Sequence, residues 1–109
     1  MPIEYKVLAQ STPGATTVTD IYTVPADTTA IISSIVVCNR AAVPKTFRIS
    51  IAPAGAADTI VHYIAYDVTI PANDVVYIQI GITLAATDVI RAYVESADIS
   101  INVFGLENS

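Results

Sequence analysis

The feature that most constrains this chain is its choice of aliphatic side chain. Among 109 residues, Ile, Val and Thr occur 16, 13 and 12 times, whereas Leu occurs only at Leu8, Leu84 and Leu106. A side chain branched at Cβ fits a pleated strand and crowds a helix. The imbalance predicts an all-β protein. The 16 alanines do not reverse it. Many stand beside Pro or Gly, as in Ala52-Pro53-Ala54-Gly55-Ala56-Ala57, which is turn composition.

Eight extended segments follow, each bounded by turn chemistry. They run Tyr5 to Gln10, Thr17 to Val24, Thr29 to Asn39, Thr46 to Ala52, Thr59 to Ile70, Val75 to Ile80, Val89 to Glu95 and Ile99 to Phe104. In the fourth, Phe47, Ile49 and Ile51 alternate with Arg48 and Ser50, so one face is buried and one is wet. In the last, Ile99, Ile101 and Val103 oppose Ser100, Asn102 and Phe104, and Gly105 ends the run. A regular strand over Thr59 to Ile70 puts Tyr63 and Tyr66 on opposite faces. No segment carries a helical stripe. Short strands at this spacing predict an all-β, about eight-stranded antiparallel β-sandwich, jelly-roll-like, over residues 1–109. An immunoglobulin-type sandwich is disfavoured, because the chain has one Cys and no Trp. Residues 1–12 form an N-terminal arm or edge strand in this reading.

Thr23-Val24-Pro25-Ala26-Asp27 is echoed by Thr69-Ile70-Pro71-Ala72-Asn73. Pro presets φ in such a turn and Asp or Asn tolerates the left-handed position. Two similar corners of one sandwich explain the echo more simply than a duplicated binding loop.

Apolar residues make up 53% of the chain and charged residues 14%, against about 25% charged in an ordinary soluble domain. So short a chain buries a modest share of its surface, and the surplus predicts contact with neighbours. The aliphatic runs are too short for a spanning helix, and Met1-Pro2-Ile3-Glu4-Tyr5-Lys6 lacks the form of an export signal, so no membrane partner is expected. The net charge of −5 disfavours nucleic acid, whose binders carry a basic surplus. One thiol, Cys38, suits synthesis in a reducing cytoplasm.

The chemistry-bearing residues are sparse. His62, the only histidine, lies beside tyrosines without a nucleophile elbow. Cys38 sits in the most apolar segment, a structural rather than reactive setting. Asp20, Asp27, Asp58, Asp74, Asp88 and Asp98 lie at turns, where a carboxylate accepts backbone N–H bonds. No calcium loop, zinc set or phosphate cradle is present. No catalytic residue, metal or cofactor is expected. Arg40, Lys45 and Arg48 gather three of the five cations within nine residues. They are read either as a loop docking on acidic surface or as a solvated hairpin.

The segments Ile21-Tyr22-Thr23-Val24-Pro25-Ala26, Ile32-Ser33-Ser34-Ile35-Val36-Val37-Cys38-Asn39-Arg40, Thr46-Phe47-Arg48-Ile49 and Gly81-Ile82-Thr83-Leu84-Ala85-Ala86-Thr87-Asp88-Val89-Ile90-Arg91 resemble small structural proteins of tailed bacteriophages. The resemblance spans roughly residues 15 to 105. It implies a virion component without catalysis, assembled in the host cytoplasm. The leading expectation is a capsid decoration or cement protein, a homo-oligomer such as a trimer, bridging capsomers of a major capsid protein. The alternatives are a tail, neck, baseplate or fibre-associated module, and a host-surface module binding a glycan or receptor. The N-terminal strand, with Tyr5, Lys6, Val7 and Leu8, is expected to join a neighbour's sheet edge, and Arg40, Lys45 and Arg48 to meet a partner.

Overall fold

Among the described residues there are nine strands; eight overlap the extended segments just described, and a short one over Ile82–Leu84 has no counterpart among them. The computed structural model describes residues 3–109, and Met1 and Pro2 of the expected arm lie outside them. The strands are β1 (Ile3–Ser11), β2 (Thr19–Thr23), β3 (Thr29–Asn39), β4 (Lys45–Ala52), β5 (Tyr63–Ile70), β6 (Val75–Ile78), β7 (Ile82–Leu84), β8 (Val89–Val94) and β9 (Ile99–Asn108). They form two antiparallel sheets. Sheet A has the order β1-β9-β3-β6, with β7 also paired to β3. Sheet B has the order β2-β8-β4-β5.

Strands β6 and β7 pair with opposite ends of β3, at Ile35 to Cys38 and at Ala30 to Ile32. They are two pieces of one edge, interrupted near Gly81. Counted so, there are eight strands that swap between sheets in the order of a jelly roll. The core between the sheets is drawn from Ile32, Ile35 and Val37 of β3, where a register shift after Ile32 breaks the alternation, and from alternate positions elsewhere: Phe47 and Ile49 of β4, Ile90, Ala92 and Val94 of β8, and Ile99, Ile101 and Val103 of β9. This alternation matches that expected for β9; in β4 it holds for Phe47 and Ile49, but Ser50, expected on the wet face, is buried and Ile51 is only half-buried.

The echoed Pro-Ala-Asx segments are two corners at which the chain leaves sheet B for sheet A. Each begins with a fully buried aliphatic residue, Val24 or Ile70. Each places its Asp or Asn in the left-handed region, at φ 57° for Asp27 and 53° for Asn73. A third corner, Leu84-Ala85-Ala86-Thr87-Asp88, has the same build with Thr87 at φ 69°. It packs against the first: Val24 N–H donates to the Asp88 carbonyl and Thr87 N–H to that of Val24, both at 3.0 Å.

Three sequence expectations need correction. The segment Thr59 to Ile70 is not one strand, because Ile60–His62 is a 3₁₀ turn. Gly105 does not end β9, which runs through it to Asn108. Tyr63 and Tyr66 do not point to opposite faces. The β4–β5 ladder pairs Ile49 with Ala65 but Ser50 with Tyr63, leaving Ile64 as an extra residue. A bulge shifts the side-chain phase by one, so both tyrosines emerge on the outer face of sheet B. Their rings meet edge to face, centroids 5.1 Å apart.

Candidate docking face

The two outer faces of the sandwich differ in chemistry. On sheet B, Arg48 and Tyr93 are cross-strand partners, as are Ser50 and Arg91. The Arg48 guanidinium lies 4.1 Å from the Tyr66 ring centroid and 4.5 Å from that of Tyr93. Its Nε donates to Asp67 at 2.6 Å, and that hydrogen bond holds the guanidinium above its ordinary pKa. Arg91 pairs with Asp20 at 2.9 Å and donates to the carbonyls of Ala56 and Gly55. Tyr63 donates to Asp58. This face is polar, and its aromatic planes are occupied by a guanidinium.

Sheet A turns a different surface outward. Cross-strand register places Tyr5, Leu106, Ile31 and Thr83 in one row. Val7, Phe104 and Ser34 form the next. Gln10, Asn102, Val36 and Tyr77 form a third, in which Gln10 donates to Asn102 at 2.8 Å. Ile3, Asn108 and Thr29 close the near end, and Val75, Cys38 and Ser100 the far end. Tyr5 is 82% exposed, Tyr77 63%, Ile3 55% and Ile31 45%. None of these side chains carries a formal charge at neutral pH. With strands about 4.8 Å apart and about 3.3 Å per residue, the apolar rows cover on the order of 300 Å², a size at which surface patches are often functional.

The charges of β1 and β9 point the other way. Lys6 bonds Glu107 at 2.8 Å and approaches Glu4 at 3.9 Å. The Tyr22 hydroxyl of sheet B also donates to Glu107. These bonds, that from Lys6 first, hold the Glu107 carboxyl below its ordinary pKa.

The expected docking residues therefore separate. Tyr5 and Val7 lie on the outer face of sheet A. Lys6 lies on the opposite side of β1, and Leu8 sits at a bulge against the core. Arg40, Lys45 and Arg48 do not form one patch, because β3 and β4 belong to different sheets. Arg40 donates to Ser100 Oγ at 2.8 Å and to the Ala97 carbonyl at 2.9 Å. Lys45 is half-buried opposite Ile70. Arg48 is held in the tyrosine cluster. Ile31, Val36, Tyr77 and Leu106 of the apolar face were not foreseen. Leu106 was legible only had β9 been read past Gly105.

The remaining candidates are dispersed. His62 is half-buried in the 3₁₀ turn, its Nδ1 without a partner. Asp88 accepts from the backbone N–H groups of Ala54 and Ala85, each at 2.8 Å, and Asp74 from that of Val75. Among the described residues no pocket opens and no group of three or more potential metal ligands converges. Comparison with family models, curated proteins and solved structures found no match to this chain.

Proposed function

We propose that this chain is a non-enzymatic structural protein of a virion, a decoration or cement protein that binds neighbouring shell subunits through the outer face of sheet A. The observation that carries the reading is the uncharged, largely apolar character of that face in a molecule of net charge −5. Burying its apolar rows removes apolar area from water at about 25 cal/mol per Å², and the nearest cation on that side, Arg40, lies at the far end on Ser100. The jelly roll supports the reading by analogy, since viral capsid domains use this architecture, although a fold alone never assigns a function. The phage-like segments add to it. Self-association and attachment to a major capsid protein use the same physics.

The test is the mass of the purified protein, alone and co-sedimented with phage capsids, beside a Leu106→Lys variant. Association by the wild type and its loss in the variant support the proposal. A wild-type protein that stays monomeric and ignores capsids overturns it. Labelled protein found on tails rather than heads would move the assignment to a tail, neck or baseplate part. The surface-binding alternative gains little from sheet B, where Tyr66 and Tyr93 already stack on Arg48.

A further inference from the structure

The sandwich has four sheet edges, and three are poorly suited to pairing. The β6/β7 edge is split into pieces of four and three residues. β5 is bulged twice and carries Asp67 at φ 50°. β2 is five residues long with a register shift between Asp20 and Tyr22. Short, broken or bulged edges resist strand addition. The edge of β1 is the exception. Residues Ile3 to Val7 are exposed without interruption, and the register shift begins only after Val7. β1 lies along its own β9, so it is not a free arm, and its other side has no strand partner among the described residues.

The five exposed residues read Ile-Glu-Tyr-Lys-Val. This order is its own complement when reversed. We propose that two copies of this chain join through β1, antiparallel and centred on Tyr5. Ile3 then faces Val7 of the second copy, Glu4 faces its Lys6, and Tyr5 faces its Tyr5. The two Glu–Lys pairs fall on the inner side, where Lys6 already bonds Glu107 and retains further N–H donors for a second carboxylate. Ile3, Tyr5 and Val7 fall on the outer side and extend the apolar face of sheet A across the junction. Opposite charges directly across a ladder are favourable and like charges are not. A shift of two residues would set Glu4 against Glu4 or Lys6 against Lys6, so the charges select the register. The arrangement is twofold, which makes a closed dimer.

The inference deepens the assembly reading by naming one self-contact, and its test needs no capsid. Sedimentation measures Glu4→Lys alone, Lys6→Glu alone and their equimolar mixture. Each single variant places like charges opposite each other twice, and its self-association weakens by about tenfold or more. The mixture restores both opposite pairs and dimerises as the wild type does. Because Lys6→Glu also disturbs Glu107, a second arm uses surface cysteines in a Cys38→Ser background. Directly opposed residues have Cα atoms about 4.5–5.5 Å apart, within disulfide reach. Tyr5→Cys therefore cross-links to itself, whereas Val7→Cys lies about 13 Å from its copy and does not. A monomeric wild type, a mixture no better than its components, or equal cross-linking at positions 5 and 7 overturns the proposal. A dimer that passes both arms but ignores capsids leaves this inference standing and removes the virion reading.

Discussion

The side-chain amide of Asn39, at the end of β3 in sheet A, donates to the main-chain carbonyl of Ile70, at the end of β5 in sheet B, at 3.2 Å. The same nitrogen reaches the carbonyls of Val43 at 2.9 Å and Pro71 at 3.3 Å, while Oδ1 accepts from Ala41 N–H at 2.9 Å. Asn39 is fully buried. One amide thus ties the β3–β4 turn to the β5–β6 corner and supplies donors to carbonyls that water reaches poorly.

Replacing Asn39 by Ala leaves those groups without their partner. Each buried unsatisfied group costs about 1–3 kcal/mol, so Asn39→Ala should lose about 2–4 kcal/mol in urea unfolding. Asn39→Asp keeps the acceptor for Ala41 but loses the donors and buries a charge, and should be less stable than Asn39→Ala at neutral pH. An aspartate variant as stable as wild type would refute the donor role.

Gly105 is required by close approach. A Cβ there would lie 2.1 Å from the Ile31 carbonyl oxygen of the neighbouring strand, whereas one at Gly14 or Gly81 meets nothing within 4 Å. Gly105→Ala should cost about 2 kcal/mol or more through forced backbone shifts. Gly14→Ala and Gly81→Ala should stay within about 0.5 kcal/mol of wild type. Denaturant midpoints of the three variants decide the matter.

Acid should weaken the contact between Tyr22, Glu107 and Lys6. The Lys6 and Tyr22 hydrogen bonds place the folded pKa of Glu107 below its ordinary 4.5. Its stabilising effect is therefore present above that value and is lost as pH falls through the depressed pKa. Lys6 is raised above 10.5, chiefly by the Glu107 bond, so its effect is present below 10.5 and is lost as pH rises through the raised value. Thermal melts of wild type and Glu107→Gln should differ near neutral pH and converge in acid. A difference independent of pH would refute the charge pairing.

Ile64, the unpaired residue of the β4–β5 ladder, is predicted to be a tolerant position. Its side chain is 40% exposed, so Ile64→Thr should change stability by no more than about 1 kcal/mol. Deleting the residue makes the ladder regular, with Tyr63 next to Ala65, still opposite Ser50 and still on the outer face. The deletion should therefore also cost little, and a large fall in its denaturant midpoint would refute the reading of Ile64 as the extra residue.

The alternation of β9, that of Phe47 to Ile49 in β4, and the full span of β3 were legible, because side-chain period is a local property. What escaped notice depends on pairing. Tyr63 and Tyr66 meet because β5 is bulged against β4, and no periodicity shows where a partner strand slips. The third corner at Leu84 to Asp88 lacks the prolines that marked the other two. Gly105 looked like a terminator because its reason lies across the sheet, at Ile31. Arg40 and Arg48 are near in sequence but separated by the step from one sheet to the other. The apolar face was foreseen as a surplus of aliphatic residues, but its location required the register of β1, β9 and β3.

The interrupted edge at β6 and β7 has a consequence for how large an assembly of this chain can grow. A sandwich with two intact rims could polymerise without end, adding molecules to either side until it formed a filament. Here the far rim is fractured, so a molecule joined through β1 presents no matching rim to the next. If copies do join through β1, the gap of three residues, Gln79 to Gly81, leaves the opposite rim of the sheet without a run long enough to continue the chain of contacts into a fibre.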